Sequence, residues 1–323
     1  MRHIFILNPA AGQGKALKLE KEIWKAADSA GITPDIYVTG HSGDAEEFVR
    51  SMCTELKDEQ LRFYACGGDG TLNEAVNGLF ASEKESYASG NGLSADAEIA
   101  NIPVGTGNDF IRNFGDKSDF MDIALQIRSA SRTCDLIRYS GVCDGEYLSR
   151  YSANMFNIGF DCNVVDKTAA LKKKPLLFGP LAYLAGVGTM LLKKEGADLT
   201  VRYDDGTEFS GRLLLIAVAN GCYCGGGVKG IPKARIDDGL IDVSLVNNTT
   251  RRNFIRLFPK YAKGTHLDDP AADDLILYKK CRQLTIRPNG DQMKLCVDGE
   301  ITMAGEIKFE IVPGAFRFVV PGE

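Results

Sequence analysis

Hydrophobic positions follow two different patterns along this chain. In the first third, short apolar runs alternate with stretches in which apolar residues recur at helical spacing. This pattern predicts strands at residues 3–7, 35–38, 61–66 and 98–103, and helices at residues 17–30, 45–52 and 71–80. Alternating strands and helices indicate a mostly parallel sheet with helices on both faces. We therefore predict an N-terminal α/β domain over residues 1–133.

From about residue 134 onward, glycine and turn residues separate short β-rich runs. The predicted strands are residues 148–158, 199–203, 212–219, 240–246, 283–286, 294–297 and 307–312. Two helices are predicted within this region, at residues 167–194 and 251–263. Such a series of short strands is typical of an antiparallel β-sandwich, which we predict as the C-terminal domain over residues 134–313.

Three glycine-rich loops each follow a predicted strand of the first domain. The first contains Asn8, Pro9, Ala10, Ala11, Gly12, Gln13, Gly14 and Lys15. Its small residues let backbone N–H groups approach an anion at a helix N-terminus, and Lys15 adds positive charge. An ordinary glycine-rich turn explains this loop equally well when it is considered alone.

The second loop carries the most constrained run of residues. It contains Gly67, Gly68, Asp69, Gly70, Thr71, Leu72, Asn73 and Glu74. Its glycines permit close backbone contact with phosphates. We expect an exposed Asp69 that faces the bound group, and a carboxylate beside a polyphosphate favours an intervening Mg²⁺. A purely structural turn rarely needs so many constrained residues.

The third loop repeats this arrangement after the fourth predicted strand. It contains Pro103, Val104, Gly105, Thr106, Gly107, Asn108, Asp109 and Phe110. Thr106 and Asn108 offer polar contacts, whereas Asp109 fits either a functional carboxylate or a helix cap. Because ligands bind at the carboxyl ends of parallel strands, we expect the three loops to form one site.

Acidic residues mark two segments of the second domain. Residues 232–242 form an acid-rich loop before a strand, and Asp298, Gly299 and Glu300 come later. Asp-Gly is a strong hairpin turn, which accounts for Asp298 and leaves Glu300 without a structural reason. Either Glu300 or Asp298 is a candidate to accept a proton from an attacking hydroxyl.

Composition narrows the classes of function. The 323 residues suit two domains, and 44% hydrophobic with 25% charged residues is an ordinary globular balance. A formal net charge of −5 argues against non-specific nucleic-acid binding. The nine cysteines include no C-x-x-C pair, which predicts reduced thiols, and the first residues lack a signal-peptide core. We therefore expect a cytoplasmic protein.

One uncharged stretch, residues 176–192, lies between lysines at positions 172–174 and 193–194. It contains Pro180 and several glycines, and it is short for a membrane-spanning helix. A buried helix that starts near Pro180 is one interpretation. The other interpretation is a helix that contacts the membrane surface, in which case the protein would associate transiently with the inner face of the membrane.

Taken together, these segments resemble the diacylglycerol kinase catalytic family, in particular bacterial soluble lipid kinases related to sphingosine kinases. GGDGTLNE, PVGTGNDF, the DDG loop and DGE occur in the family's order across nearly the whole chain. GGDGT alone is shared with NAD kinases and 6-phosphofructokinases. The PVGTGND segment narrows the match to lipid kinases.

The resemblance implies an ATP-dependent kinase with Mg²⁺ and a diacylglycerol-like lipid as substrate. It implies nucleotide contacts from Asn8, Pro9, Ala10, Ala11, Gly12, Thr39, Gly67, Gly68, Asp69, Gly70, Thr71, Leu72, Asn73 and Thr106. The implied catalytic acids are Glu300 as proton acceptor, Asp298, Asp69 and Asp109.

The resemblance also implies a structural Mg²⁺ in the second domain, held by the Asp238 carboxylate and the main-chain oxygens of Arg235 and Leu240. Asp135 is implied as a further acid near that ion, and residues 314–323 are implied to return to the first domain. Two rival functions stay open, an NAD kinase-like phosphotransferase and a non-catalytic nucleotide- or lipid-binding module. A homodimer is compatible with exposed sheet edges.

Overall fold

The computed structural model describes residues 1–80, 96–160, 162 and 196–322. The helix predicted at residues 167–194 and the uncharged stretch 176–192 lie outside the described residues. The chain divides into two compact units. Unit 1 contains Met1–Cys134 and Gly314–Glu323, and unit 2 contains Asp135–Pro313.

Unit 1 alternates strands and helices, as its apolar pattern indicates. In chain order its elements are β1 (Arg2–Leu7), α1 (Lys15–Lys18), α2 (Glu20–Ala30), β2 (Pro34–Val38), α3 (Asp44–Glu55), β3 (Gln60–Gly67), α4 (Asp69–Leu79), β4 (Asp96–Pro103), α5 (Lys117–Met121) and α6 (Ile123–Arg128). The helix predicted at residues 17–30 is two helices, which Leu19 separates.

The strand pairs β1–β2, β1–β3 and β3–β4 are all parallel. Near the C-terminus, Phe318 also pairs in parallel with Ile99 of β4. Parallel strands bring their carboxyl ends to one edge of a sheet, so the loops that follow β1, β3 and β4 are neighbours. Apolar residues such as Phe5, Tyr64 and Ile102 are fully buried between these strands and the helices.

Unit 2 consists mainly of strands. Its elements are β5 (Ser131–Cys143, which begins in unit 1), β6 (Glu146–Ser152), β7 (Met155–Gly159), β8 (Ala197–Tyr203), β9 (Glu208–Ala219), β10 (Ile241–Asn247), α7 (Arg251–Lys263), β11 (Ile276–Cys281), β12 (Gln283–Pro288), β13 (Met293–Val297) and β14 (Glu300–Val319, which ends in unit 1).

Neighbouring strands of unit 2 pair antiparallel, for example β7 with β9, β9 with β10, and β13 with β14. Their inward side chains form a core that includes Phe156, Ile216, Val243 and Phe309. The strand predicted at residues 148–158 is two strands, β6 and β7, because the chain turns at residues 153–154.

Two further findings concern the cysteines and the length of the apolar helices. All nine cysteines are free thiols, and eight of them are buried. Within the described parts of the chain, no helix combines the length and the apolar character that crossing a bilayer requires.

Candidate active site

The second and third glycine loops contact each other directly through their backbones. The carbonyl oxygen of Gly67 accepts hydrogen bonds from the N–H groups of Val104 at 3.0 Å and Gly105 at 3.1 Å. A Cβ atom on Gly105 would lie 2.4 Å from the Cα atom of Gly68. Only glycine at position 105 allows this approach, so Gly105 is needed to join the two loops.

The first loop is attached to both of the others. The Asn8 side chain donates a hydrogen bond to Thr71 Oγ1 at 2.9 Å, and its own oxygen accepts one from the Ala10 N–H at 3.0 Å. Gly12 has a φ of 58°, and a Cβ atom there would lie 2.3 Å from the Val104 carbonyl oxygen. The structure thus brings the three loops together at the carboxyl ends of β1, β3 and β4.

Asp69 is the first residue of α4, and it is half-buried rather than exposed as the sequence suggested. Its Oδ1 atom accepts hydrogen bonds from the N–H groups of Asp109 at 2.8 Å and Phe110 at 3.3 Å. Burial raises the pKa of this carboxyl group above its ordinary value, and the surrounding backbone N–H groups oppose that rise. The Asp69 carboxylate, which belongs to the second loop, therefore holds the third loop in place.

Asp109 is buried and precedes a 3₁₀ turn at Phe110–Asn113. Its side chain makes no capping hydrogen bond to that turn, so the helix-cap interpretation is wrong. A Cβ atom on Gly107 would lie 2.7 Å from Asp69 Oδ2 and 3.5 Å from Asp109 Oδ2. Two carboxylates from different loops therefore flank Gly107, an arrangement that suits a divalent cation.

Positive charge gathers beside these carboxylates. The pKa of Lys117 is lowered first by burial and then by the positive charges of Lys15 and Arg112, whereas the negative charge of Asp69 raises it. Arg112 Nε also lies 3.6 Å from Asp109 Oδ1. Sequence reasoning identified Lys15 and missed Arg112 and Lys117, because isolated basic residues after a loop carry no motif.

The other predicted nucleotide residues differ in accessibility. Thr39 is buried, and its N–H group donates to the Leu7 carbonyl at 3.0 Å. Thr71 and Leu72 have buried side chains, so only their backbones can face a ligand. Thr106 is exposed. The remaining members, which are exposed or half-buried, are Pro9, Ala10, Ala11, Gly70 and Asn73.

Glu74, the last residue of the second motif, has a positioning role. Its carboxylate accepts hydrogen bonds from the N–H groups of Gly43 at 2.9 Å and Ala45 at 3.3 Å. These N–H groups lie at the start of α3, where the helix itself provides no acceptor for them. This contact ties the loop that follows β2 to helix α4.

In unit 2, Asp298 and Gly299 form the two-residue turn between β13 and β14. Their φ angles are 46° and 95°, and Val297 pairs with Glu300 across the turn. The Asp298 carboxylate accepts hydrogen bonds from Ser152 Oγ at 2.7 Å and Met155 N–H at 3.2 Å. Both the turn interpretation and a positioning role therefore suit Asp298.

Glu300 differs from Asp298 in its surroundings. It is exposed at the start of β14, and no hydrogen bond or ion pair joins its carboxylate to any residue that the structure describes. A carboxylate with open coordination can accept a proton, so Glu300 is the better candidate base of the two.

The side chain of Lys280, on strand β11, pairs with two carboxylates of the acidic segment of unit 2. Lys280 Nζ lies 2.7 Å from Asp238 Oδ2 and 3.2 Å from Asp242 Oδ2. The other oxygen of Asp238 accepts the Leu240 N–H at 3.1 Å, and the other oxygen of Asp242 accepts the Tyr278 hydroxyl. Asp242 is fully buried.

These contacts do not fit the structural Mg²⁺ that the resemblance implies. A metal ion on Asp238 would compete with the Lys280 ammonium for the same carboxylate. Asp135 instead accepts the Gly239 N–H at 2.7 Å and so anchors the loop. We therefore assign no metal ion to this loop.

One other group of residues has metal-ligating atoms close together. Ligand atoms of His41, Asp44 and Glu47 lie within 4.8 Å of one another. Both Asp44 oxygens are engaged, however, since one accepts the Tyr37 hydroxyl at 2.7 Å and the other the Gly40 N–H at 2.6 Å. These bonds give Asp44 a structural role in the loop after β2.

Comparison with known proteins identifies the fold. A structure described as a putative diacylglycerol kinase from Bacillus anthracis str. Sterne superposes with a TM-score of 0.71 at 23% identity, covering 99% of this chain and 96% of that one. A second structure of a diacylglycerol kinase from the same organism gives a TM-score of 0.69 at 22% identity, covering 99% and 97%. The chain therefore has a diacylglycerol kinase-like fold whose second domain is a β-sandwich.

Sequence comparison identifies the family. The diacylglycerol kinase catalytic domain matches residues 2–139, and the YegS C-terminal NAD kinase beta sandwich-like domain matches residues 154–320. A diacylglycerol kinase of Staphylococcus carnosus (strain TM300) is 29% identical over 91% of this chain and 87% of its own length. A probable lipid kinase YegS-like protein of Shewanella frigidimarina (strain NCIMB 400) is 29% identical over 90% and 85%. The chain belongs to this diacylglycerol kinase and YegS-like family.

Proposed function

We propose that this protein is an ATP-dependent lipid kinase that transfers the γ-phosphoryl group of ATP to a hydroxyl of diacylglycerol or a related lipid. The observation that carries the proposal is the meeting of three glycine loops, with Asp69 and Asp109 on either side of Gly107. Phosphoryl transfer depends mainly on positioning and charge neutralisation, which such a site supplies. The names of the relatives described above support the lipid class of substrate.

The glycine loops are suited to bind the phosphates. Helix α4 begins at Asp69, directly after Gly68, so its first N–H groups and the positive end of its dipole face the loop. Lys15, Arg112 and Lys117 add the positive charge that a polyphosphate requires. The absence of bulky side chains at Gly68 and Gly105 lets the phosphates approach the backbone.

The pair Asp69 and Asp109 would hold a catalytic Mg²⁺ in this proposal. When bound, such an ion would neutralise part of the negative charge on the phosphoryl group that is transferred. The chain itself supplies the fixed positions of the two carboxylates, through the bonds from the Asp109 and Phe110 N–H groups to Asp69.

Glu300 is proposed to accept the proton of the lipid hydroxyl. Its carboxylate is exposed, and the adjacent turn is held by the bonds that Ser152 and Met155 donate to Asp298. Asp298 would thus position Glu300 rather than act as the base. General-base catalysis of this type contributes about 10²–10⁴-fold to a rate.

Unit 2 also offers an apolar pocket that would suit a lipid chain. It is lined mainly by aromatic and aliphatic side chains, including Phe160, Leu214, Phe254, Phe258 and Ile276. His266 is a buried polar residue of its lining. A lipid substrate also implies peripheral contact with a membrane, because the substrate resides there.

The proposal is tested by incubating the purified protein with γ-labelled ATP and Mg²⁺ in detergent micelles. Separate reactions contain diacylglycerol, a ceramide, a sphingoid base or a polyprenol, and a parallel reaction contains NAD. We expect label to enter the lipid phase with one of the lipids. Label transferred to NAD alone, or to no acceptor, would contradict the proposal.

A further inference from the structure

The apolar pocket of unit 2 contains one buried polar ring that makes no hydrogen bond. His266 lines the pocket, and only 1% of its surface is exposed. Neither of its ring nitrogens has a hydrogen-bond partner among the residues that the structure describes. A buried polar atom without a partner destabilises a folded protein, so such atoms are rare and call for an explanation. A ligand that supplies the missing partner is one such explanation.

The pocket lies between helix α7 and the sheet of unit 2. Phe254 of α7 contacts Phe160 with 5.1 Å between ring centroids, and Phe258 stacks on Phe254 at 5.5 Å. Leu214 of β9 and Ile276 of β11 contribute aliphatic side chains from the sheet. The cavity has a volume of about 50 Å³. One water molecule requires about 10–15 Å³ of such space, so the cavity has room for a short segment of a ligand.

The ring of His266 is neutral, and this decides what it can bind. Burial lowers the pKa of His266 to about 4, and the Lys260 carbonyl opposes that shift. A neutral imidazole has one N–H donor and one nitrogen that only accepts. Because a carbonyl oxygen is an acceptor, Lys260 favours the tautomer whose N–H is directed towards it. The other nitrogen is then an acceptor, and its missing partner is a donor such as a hydroxyl group.

The rest of the described lining does not supply that donor. Thr249 and Tyr261 contribute hydroxyl groups to the lining, and neither donates to His266. The Tyr261 hydroxyl lies against Gly230, where a Cβ atom would be 2.6 Å from it. The other nine described lining residues are leucine, isoleucine, valine or phenylalanine. A buried water needs two to four polar partners, which such a lining is poorly suited to provide.

The pocket and the proposed base Glu300 lie towards opposite ends of strand β7. At one end of β7, Met155 donates to Asp298, which lies beside Glu300. At the other end, Gly159 pairs with Leu215, which lines the pocket. Four residue steps along the strand separate Met155 from Gly159, which corresponds to about 13 Å. A group bound at the pocket is therefore remote from a hydroxyl that reacts at Glu300.

We propose that this pocket binds the hydroxylated part of an apolar chain, and that the chain hydroxyl donates a hydrogen bond to the acceptor nitrogen of His266. The inference rests on the proposed function for the identity of the occupant, which would be a chain of the acceptor lipid. The protein would then favour lipids whose chains carry a hydroxyl group over lipids with unsubstituted chains.

Nuclear magnetic resonance of the full chain, labelled with ¹⁵N-histidine, tests this directly because the chain has only three histidines. The probes are 12-hydroxyoctadecanoate and octadecanoate, added without ATP below the concentrations at which they form micelles. We expect the hydroxylated probe to bind about fivefold more tightly, as one net hydrogen bond provides. Its binding should shift the acceptor-nitrogen resonance of His266, whereas the resonances of His3 and His41 should not move.

The variant His266→Phe keeps an aromatic ring and removes both nitrogens. It should bind the two probes equally, and its spectrum identifies the resonances that belong to His266. The control His41→Phe makes the same change at an exposed histidine of unit 1 and should keep the native preference.

Four results would overturn the proposal. These are equal affinity of the native protein for the two probes, an unmoved His266 resonance, a preference that survives in His266→Phe, and an acceptor nitrogen that is already hydrogen-bonded before any probe is added. The last result would show that water occupies the position of the hydroxyl.

Kinase assays in detergent micelles separate this inference from the proposed function. A diacylglycerol with hydroxylated chains should have a lower KM than one with unsubstituted chains and the same kcat, because a contact remote from the reaction is equally strong in the ground state and the transition state. His266→Phe should abolish this difference in KM. A native protein that prefers the hydroxylated probe but phosphorylates no lipid would keep the pocket assignment and contradict the proposed function. Lipid phosphorylation without any preference between the probes would contradict this inference alone.

Discussion

Asp69 of unit 1 and the acidic loop of unit 2 are held in different ways. In unit 1, Asp69 is held by backbone N–H groups, and none of the described lysines or arginines forms an ion pair with it. In unit 2, Lys280 pairs with both Asp238 and Asp242. An acid without a cation of its own is suited to bind one from solution, whereas Lys280 already offsets part of the negative charge of the unit 2 loop. Under the proposed function, unit 1 would bind the ion and the acidic loop of unit 2 would have a structural role.

The sharpest test of this contrast is Asp69→Asn. The asparagine oxygen can still accept the bonds from the Asp109 and Phe110 N–H groups, so the loops should stay joined. Without the negative charge, kcat should fall on the order of 10³-fold, as when a preorganised electrostatic contact is removed. At neutral pH the free energy of unfolding should rise by about 1 kcal/mol, because burial disfavours the native carboxylate.

Activity assays in micelles and thermal unfolding without nucleotide measure the two effects. Asp116→Asn, at an exposed position shortly after the third loop, is the control and should change neither. If Asp69→Asn kept native turnover, Asp69 would be a purely structural residue and the contrast between the units would disappear.

The next test separates Glu300 from Asp298 within unit 2. Glu300→Gln should lower kcat on the order of 10²-fold while nucleotide affinity and stability stay native, because the carboxylate contacts no described residue. Asp298→Asn should lower stability by about 1 kcal/mol, because Ser152 and Met155 both donate to its carboxylate. Fluorescent nucleotide titration and chemical unfolding measure the difference. Full turnover by Glu300→Gln would remove its assignment as the base.

The loops of unit 1 could be predicted from sequence because their signals are local. Glycine positions and strand ends are properties of a few neighbouring residues, and a strand–helix alternation already places such loops at one edge of a sheet. The contact of Gly68 with Gly105 follows from that placement. The half-burial of Asp69 did not follow, since it depends on the third loop folding over the second.

The pairing of Lys280 with the acidic loop of unit 2 could not be predicted in the same way. Lys280 is separated from Asp238 by 42 positions, and it lies on β11, a strand that the apolar pattern did not reveal. Strand β11 is half-exposed over most of its length, which weakens its pattern. The resemblance to a metal-binding family then favoured an ion at a position where the chain supplies an ammonium group.

Lys280→Met tests whether that ammonium group is the cation of the loop. The change leaves the buried Asp242 and its neighbour Asp238 without a positive partner, so we expect a loss of about 2 kcal/mol, less than for a fully buried pair because Lys280 is partly exposed. Lys279→Met, one residue earlier, removes a pair with the exposed Asp205 and should cost much less than Lys280→Met.

Added Mg²⁺ makes this test decisive. The native protein without nucleotide should gain no stability in unit 2 from Mg²⁺, whereas Mg²⁺ should restore part of the loss in Lys280→Met. Hydrogen exchange of the peptides that contain residues 235–242 and 276–281 reports on this loop alone. Protection of these peptides by Mg²⁺ in the native protein would restore the metal site and contradict the contrast between the units.

The smallest expected effect concerns one buried histidine in each unit. Burial lowers the pKa of His3 to about 4, assisted by Arg62, and burial lowers the pKa of His266 to about 4 against the opposing effect of the Lys260 carbonyl. Each is neutral in the folded chain and takes up a proton on unfolding below its ordinary pKa of 6.5. Stability should therefore be full above pH 6.5 and fall as the pH drops towards 4.

Between pH 6.5 and pH 5 each histidine should account for a loss on the order of 1 kcal/mol, after allowance for solvent screening. His3→Gln and His266→Gln should each flatten the profile of stability against pH, as followed by chemical unfolding at a series of pH values. His41→Gln is the control, because His41 is exposed and its pKa is raised by the Ser42 carbonyl. A profile that His266→Gln leaves unchanged would mean that water reaches this ring, and the pocket that it lines would then be wet rather than ready for a lipid chain.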